Sequence, residues 1–235
     1  MSPKTKPLVI IPFAGDDPLR RRNLEIVRDF YADNFPDWKI LVGGFGSSLP
    51  FNRAESINAA IKWAGPTLKD AQPIVLNDAD TLCTPEQVEA AVELATAEPV
   101  FVFAYTLYLR LGQKVTGECG NWRAVLEAPA EWGMINAGSQ GCSAVRRSVY
   151  LELGGLDERF DGWGYEDLEF NKRADEAGVS RRLPGELRHM WHGPRREDDS
   201  PYDADAADVA RNAALFTELT ALSRICRHCG MVIHW

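Results

Sequence analysis

The sequence predicts an α/β protein with a mixed, mainly parallel sheet. Apolar runs typical of buried strands alternate with helical stretches along most of the chain, which is the pattern of α/β architecture. No repeat of fixed period is present. The 235 residues, 45% of them hydrophobic, can bury a sizeable core, so folding needs neither disulfides nor a structural metal. We expect one domain over residues 1–193, followed over 194–235 by a charged loop and a C-terminal amphipathic helix that packs on that domain.

The N-terminal half alternates strands and helices whose ends carry recognisable signals. In the second helix the apolar residues from Ala54 to Ala64 are spaced three and four positions apart, so they share one face. The third helix has Pro85 at its first position and Thr84 as a candidate N-cap. In chain order we predict a strand over Leu8–Phe13, a helix over Leu19–Phe30, a strand over Trp38–Val42, a helix over Arg53–Ala64, a strand over Pro73–Asn77, a helix over Pro85–Ala97 and a strand over Val100–Tyr108.

The C-terminal half gives weaker signals. Residues 112–141 show little periodicity, so we predict mostly loop there. The polar stretch 193–203 is predicted as loop, and the last helix has an apolar stripe that includes Leu215 and Leu219. The predicted elements are a strand over Cys142–Val145, a short helix ending at Gly154, a helix over Tyr165–Ala177, a strand over Leu187–His192 and a helix over Ala204–Ile225.

Charge and cysteine content exclude some classes of partner. Lys and Arg number 26 against 34 Asp and Glu, a net charge of −8, whereas nucleic acids and anionic lipids require a basic surface. We therefore expect neither as a partner. The early apolar run Leu8–Phe13 is too short for a signal peptide, and no segment is long enough for a membrane span. The odd number of cysteines, five, favours free thiols in the reducing cytoplasm over a disulfide framework.

The first candidate site is Asp78-Ala79-Asp80, which directly follows a predicted buried strand. The carboxyl ends of strands are where open α/β sheets bind ligands. Carboxylate oxygens suit hard cations such as Mg²⁺ or Mn²⁺, so one aspartate could bind a metal and the other a sugar or ribose hydroxyl. Taken alone, the triplet is equally consistent with a turn in which Asp78 caps the chain and Asp80 is solvated.

Two of the four histidines form a second candidate site, His189-Met190-Trp191-His192. Mn²⁺ accepts nitrogen donors more readily than Mg²⁺ does. A site with imidazole as well as carboxylate ligands therefore favours Mn²⁺. A zinc site would need more nitrogen or sulfur ligands than the sequence offers. The alternative is an exposed His189 and a half-buried His192 bonded to the backbone.

The densest candidate is Gly162-Trp163-Gly164-Tyr165-Glu166-Asp167. Glycines on both sides of Trp163 would let the backbone bring the indole against a ligand such as a sugar face. The acid pair then opens a helix. Glu166 and Asp167 either complement the helix dipole, with Trp163 as a core anchor, or one of them is a general base for a hydroxyl.

Together these residues resemble a known family, the β-1,4-galactosyltransferase-like glycosyltransferases. Their fold is the glycosyltransferase-A fold, a single Rossmann-like domain. The similarity covers roughly residues 8 to 193 and consists of five segments in the family's order. These segments are Ile11-Pro12-Phe13, Phe51-Asn52-Arg53-Ala54 with Asn58, Asp78-Ala79-Asp80, Gly162-Trp163-Gly164-Tyr165-Glu166-Asp167, and the pair His189 and His192.

The resemblance implies a role for each matching position. The nucleotide, expected to be uridine with its phosphates, would be held by Pro12, Phe13, Phe51 and Arg53. The metal ligands would be Asp80, His192 and His189, with Asp78 and Trp163 contacting the donor and Trp163 also contacting the acceptor. Asp167 would be the catalytic base and Glu166 would bind the acceptor sugar. Residues 193–202 would form a mobile lid.

Three features depart from the family pattern. Ala14 stands where members often carry Arg, so one phosphate or base contact is missing or comes from elsewhere. Tyr165 replaces a glycine beside the acid pair, which puts galactose specificity in doubt. Many relatives have a membrane anchor, whereas this sequence shows none, so we expect a cytoplasmic enzyme of bacterial or viral origin.

The implied activity is metal-dependent, inverting transfer of galactose, N-acetylgalactosamine or glucose from a UDP-sugar to an acceptor hydroxyl, with Mn²⁺ or Mg²⁺. The hydroxyl could belong to a glycan, a protein or a small molecule, and residues 112–141, with Trp122 and Trp132, would shape its site. Asp167 favours inversion, because the retaining polypeptide N-acetylgalactosaminyltransferases carry Asn there.

Other functions remain as alternatives: such a retaining enzyme, or a non-catalytic carbohydrate-binding or assembly protein. Cys226-Arg227-His228-Cys229 superficially resembles half a zinc knuckle, although free thiols fit it better. A metal-dependent nucleotidyltransferase would need a Gly- and Lys-rich phosphate loop after the first strand. Gly15-Asp16-Asp17 is too short and too acidic for such a loop.

Overall fold

The computed structural model confirms the predicted α/β class with mixed sheets. It describes residues 6–15, 17–44, 46, 51–162, 164–193 and 206–222. Trp163, most of the expected lid and the Cys226–Cys229 tail therefore lie outside the described residues. No helix among the described residues is long and apolar enough to cross a membrane.

The strands are short and most of those in the larger sheet are buried. Every residue of the first strand and of the strand before Asp78 is buried, as expected for strands covered on both faces. In chain order the strands are β1 (Leu8–Ile11), β2 (Lys39–Val42), β3 (Pro73–Asn77), β4 (Thr81–Leu82), β5 (Phe101–Phe103), β6 (Leu107–Arg110), β7 (Trp132–Ile135), β8 (Cys142–Arg146), β9 (Ser180–Arg182) and β10 (Glu186–His189).

Side-chain caps fix where several helices begin. The Asn52 side chain accepts from the Glu55 amide, and Thr84 forms a reciprocal capping box with Gln87. A 3₁₀ turn follows the second helix. The helices are α1 (Pro18–Asn34), α2 (Arg53–Ala64), α3 (Pro85–Ala97), α4 (Gln113–Glu118), α5 (Trp122–Glu127), α6 (Arg147–Glu152), α7 (Glu166–Glu176) and α8 (Ala206–Leu222).

The larger sheet has six strands in the order β2-β1-β3-β8-β5-β9. β1 runs parallel to β2 and β3, and β5 runs parallel to β9. β8 lies antiparallel between β3 and β5, so parallel pairings predominate but the sheet is mixed. The carboxyl ends of β1, β2 and β3 therefore share one edge, and the segments that follow them meet there.

A smaller sheet in the order β4-β10-β6-β7 brings the distant histidines to the same edge. β10 pairs antiparallel with β4 and places His189 opposite Thr81, one residue after Asp80. β10 also runs parallel to β6, with Leu187 opposite Tyr108. Because side chains alternate along strands, Tyr108 and His189 lie on one face of this sheet.

The structure corrects two predictions of secondary structure. The strand predicted over Val100–Tyr108 is two strands, β5 and β6, which lie in different sheets. The amides of Thr106 and Leu107 donate to the Gly185 carbonyl and so redirect the chain. Residues 112–141, predicted as mostly loop, contain α4, α5 and β7, whose short lengths give little periodic signal.

The termini of other elements also differ. The strand predicted over Leu187–His192 ends at His189, so His192 projects from a loop. Strands β4 and β9 have only two and three residues and were missed. By contrast, α2, β3 and α3 have the predicted boundaries.

Candidate active site

The turn that carries the aspartates is held by a buried amide. Asn77, 1% exposed, donates from Nδ2 to the carbonyls of Asp78 and Thr81 and accepts from the Tyr31 hydroxyl at 3.0 Å. The Asp78 amide donates to the Gly141 carbonyl at the start of β8. This network fixes the backbone between β3 and β4, and so sets where Asp78 and Asp80 stand.

Asp80, His189 and His192 form one cluster. Their ligand atoms all lie within 4.8 Å of one another. The carboxylate oxygens of Asp80 lie 3.6 Å from His189 Nε2 and 3.5 Å from His192 Nε2, too far for good hydrogen bonds. Donor atoms each about 2.1 Å from a shared ion stand roughly 3 to 3.5 Å apart. The three side chains therefore fit a divalent cation.

The environment of His189 keeps its imidazole neutral. Burial is the main cause that lowers its pKa to about 4, although Asp80 opposes the shift. Its buried Nδ1 has no hydrogen-bond partner among the described residues. A neutral imidazole has a lone pair to offer, which a metal ligand requires.

His192 has two competing contacts at Nδ1. The Arg20 guanidinium lies 3.0 Å from this nitrogen and the Gly193 carbonyl lies 3.1 Å away. If Nδ1–H donates to Gly193, Nε2 presents its lone pair towards Asp80, which is the tautomer that ligation needs. A bond from Arg20 needs the opposite tautomer. No carboxylate within the described residues forms an ion pair with Arg20.

A second cluster joins three elements through Arg53, the first residue of α2. Its Nε and Nη2 donate to Asp78 Oδ1 at 3.1 and 2.8 Å, and its Nη1 lies 3.5 Å from Glu166 Oε1. Burial opposes the charge on Arg53, but Asp78, Glu166 and Asp167 outweigh it and raise the pKa of the guanidinium. Arg53 thus holds the aspartate turn against the N-terminus of α7.

Asp167 combines partial burial with acidic neighbours. Loss of water around the carboxyl and the nearby Glu166 raise its pKa to about 7, with Arg53 opposing. A carboxylate with a pKa near neutrality suits a general base.

The remaining candidates near the nucleotide also lie at this edge. Pro12 is buried directly after β1, and Phe13 packs against the core. The Phe51 ring lies against Gly44, beyond the end of β2, where the Phe13 carbonyl is also close. Trp163, expected to contact donor and acceptor, lies outside the described residues.

Sequence reasoning missed Tyr108. Its ring stacks on His189 with centroids 5.6 Å apart. Burial, then Asp80, raises the pKa of its hydroxyl, with smaller contributions from Asp78 and Asp167. No local motif marks Tyr108, because its place depends on the pairing of β6 with β10.

The two tryptophans expected near the acceptor have different environments. Trp122 is 8% exposed and donates from Nε1 to Asp33, so it is a core residue. Trp132 is 45% exposed and meets Tyr108 edge to face at 6.4 Å. Only Trp132 of this pair is open to a ligand.

One known protein family matches part of the chain in sequence. Residues 133–194, which include the acid pair and both histidines, match the sequence profile of a family described as the N-terminal domain of galactosyltransferase. No curated protein matches the chain in sequence.

Two solved structures of Drosophila β1,4-galactosyltransferase 7 are similar. One is a variant in complex with manganese, UDP-Gal and xylobiose, with 17% identity and a TM-score of 0.53, covering 86% of this chain and 79% of that one. The other is the catalytic domain with xylobiose, with 16% identity and a TM-score of 0.52, covering 87% and 79%. At these identities the likeness shows the fold.

Residues 133–194 therefore resemble a galactosyltransferase family, and the chain has the glycosyltransferase-A fold, as the sequence predicted. The fold and the family match together indicate a glycosyltransferase.

The raised pKa of Asp167 predicts how pH changes stability. Its carboxyl is neutral in the folded chain up to about pH 7, against 3.8 for a free side chain, so the stability that the proton confers is lost as pH rises to about 7. Asp167→Asn cannot lose that proton. We therefore expect the difference in unfolding free energy, variant minus wild type, to increase between about pH 4 and 7. Above about pH 7 this difference should stay constant.

Urea unfolding across this pH range measures the effect. Asp29→Asn, at an exposed position of α1, is the control and should follow the wild type. Parallel curves for Asp167→Asn and the wild type would contradict the assigned pKa.

Proposed function

We propose that the protein is a metal-dependent inverting glycosyltransferase that transfers galactose, N-acetylgalactosamine or glucose from a UDP-sugar to a hydroxyl. The observation that carries this proposal is the convergence of Asp80, His189 and His192 beside the cluster of Asp78, Arg53 and Glu166. The manganese and UDP-Gal in the similar Drosophila structure support it.

Asp80, His189 and His192 would hold the cation. Two nitrogen donors among three favour Mn²⁺, with Mg²⁺ as the alternative. When bound, the ion supplies Lewis-acid stabilisation of the negative charge on the departing diphosphate.

The other residues at the edge position the donor. Pro12, Phe13 and Phe51 provide an apolar wall for the uridine. Arg53 places both of its bonds on Oδ1 of Asp78, which leaves Oδ2 to accept from a sugar or ribose hydroxyl. We keep Trp163 as a contact of donor and acceptor on the strength of the resemblance.

Asp167 would act as the base. It accepts the proton of the acceptor hydroxyl while that oxygen forms a bond to the anomeric carbon and the bond from that carbon to the UDP oxygen breaks. Attack opposite the leaving group inverts the anomeric centre. Glu166, held by Arg53, is placed to bind the acceptor sugar.

The acceptor is a hydroxyl-bearing glycan, protein or small molecule. The exposed Trp132 beside Tyr108 favours a sugar, since an indole offers a flat apolar face. We retain a catalytic domain over residues 1–193 with a lid and helix over 194–235. A cytoplasmic location and a bacterial or viral origin stay predictions from the sequence.

A panel of UDP-sugars with Mn²⁺ or EDTA, read by released UDP, tests the proposal. We expect release with at least one donor, loss of release with EDTA, and a product of inverted anomeric configuration by NMR. Asp167→Asn should lower kcat by about 10² to 10⁴-fold and leave UDP affinity unchanged. A near-normal rate in this variant, or retention of configuration, would refute the assigned mechanism.

Removing the carboxylate at the cation site should weaken metal binding. Asp80→Ala is expected to weaken Mn²⁺ binding by more than about tenfold in calorimetry. Asp29→Ala, far from the cluster on an exposed face of α1, should bind normally. Equal affinities for the two variants would place the ion elsewhere.

Arg20 should contribute to nucleotide binding. Ligation through Nε2 of His192 turns its Nδ1 into a donor, so Arg20 loses its acceptor beside the place of the diphosphate. Arg20 would then be available to contact a phosphate, in place of the arginine that Ala14 replaces. Arg20→Ala should weaken UDP binding by about 10 to 100-fold, the value of a charge-assisted bond. Arg28→Ala, at an exposed position of α1, is the control and should bind UDP normally. Equal UDP affinities of the two variants would contradict the role of Arg20.

A further inference from the structure

The geometry points to α8 as the element that positions the acid pair, with Asn212 and Phe216 as its positioning residues. This inference rests on the proposed function, since it concerns how Glu166 and Asp167 are aimed. α8 lies far along the chain from the acid pair, yet it contacts the turn that leads into α7.

The Asn212 side chain forms hydrogen bonds to residues on both sides of position 163. Its side chain is fully buried, and its Nδ2 donates to the carbonyls of Asp161 at 2.9 Å and Gly164 at 3.1 Å. Arg211 donates to the same Asp161 carbonyl at 2.8 Å. A single amide that bonds both carbonyls holds them at a fixed separation. The positions of Asp161 and Gly164 therefore depend on α8.

Tyr165 connects this turn to the acids. Its φ of 74° is left-handed, a conformation that strains the backbone of a residue with a Cβ. Its ring packs on Phe216 of α8, with centroids 5.5 Å apart. The Tyr165 carbonyl accepts the Glu169 amide and so begins α7. Because Tyr165 immediately precedes Glu166, relaxation of its φ would change the orientation of Glu166 and Asp167.

Asp208 completes the contact at the other end of the turn. Gly162 has a φ of 80°, and a Cβ at this position would collide with the Asp208 carboxylate. Arg211 Nη1 holds that carboxylate at 2.9 Å. More than one hydrogen bond therefore joins this segment to α8, since Asp161, Gly162, Gly164 and Tyr165 each contact it.

The metal half of the site is anchored elsewhere. Asp80 follows β3, and His189 belongs to β10, which pairs with β4 and β6. Loosening α8 should therefore disturb the acid pair and spare the cation and UDP. A displacement of about 1 Å at a catalytic group can cost about 10²-fold in rate.

Asn212→Asp tests the first contact. An Asp side chain has the size of the amide but carries at most one hydrogen, and only when protonated, so it cannot donate to both carbonyls as Nδ2 does. We expect kcat to fall by roughly 10 to 100-fold while UDP and Mn²⁺ affinities stay within about twofold. Thr217→Ala, at an exposed position of α8, is the matched control and should keep full activity.

A double-mutant cycle tests the second contact. Glycine tolerates a positive φ without support, so Tyr165→Gly removes both the strain and the ring. Phe216→Ala should lower kcat about tenfold in the wild type and by less than about twofold in the Tyr165→Gly background. A merely structural Phe216 would instead lower the unfolding free energy in both backgrounds and leave kcat unchanged.

Hydrogen exchange separates failure of this inference from failure of the proposed function. Asn212→Asp should speed exchange of the amides over 164–169 and leave β3 unchanged, whether or not any donor sugar is turned over. Unchanged exchange there, or kcat equal to that of the wild type, would overturn the role of α8. Equal losses of kcat and UDP affinity would also overturn it.

Discussion

The site depends on one buried guanidinium. Asp78 and Asp80 follow one strand, Glu166 and Asp167 open a helix, and folding brings these four carboxyl groups to one edge of the larger sheet. Arg53 lies between the two pairs, with 18% of its side chain exposed, and contacts Asp78 and Glu166. Removing one partner of a buried charge pair typically costs about 3 to 5 kcal/mol, because the remaining charges lose their compensation. Without Arg53, like charges would drive the aspartate turn and α7 apart.

Around this ion pair, different elements serve different halves of the chemistry. The larger sheet presents Asp78 and Asp80, and the smaller sheet brings His189 beside them through the pairing of β10 with β4. The neutral imidazole of His189 and the carboxylate of Asp80 suit a cation, whereas the raised pKa of Asp167 suits proton acceptance. The same low-polarity surroundings produce both effects, since burial disfavours the charged form of each group.

Much of the fold follows from local signals. The boundaries of α2 and α3 were predictable because Asn52 and Thr84 cap them and apolar spacing marks one face. The split between β5 and β6 was not, because both halves are apolar and only the Gly185 carbonyl, distant in sequence, redirects the chain. Sequence motifs identified the acids and histidines as candidates. The partners of Arg53, and the place of Tyr108, are set by long-range pairing that no local pattern encodes.

The central claim is that Asp80, His189 and His192 share one cation when the nucleotide is bound. Crystals grown with Mn²⁺ and UDP, measured near the manganese absorption edge, test it directly. The account predicts one anomalous peak within roughly 2.0 to 2.4 Å of the Asp80 carboxylate and of both imidazoles, with the diphosphate on its open side. A peak on other carboxylates, or imidazoles that turn away from Asp80 with no ion between them, would contradict it.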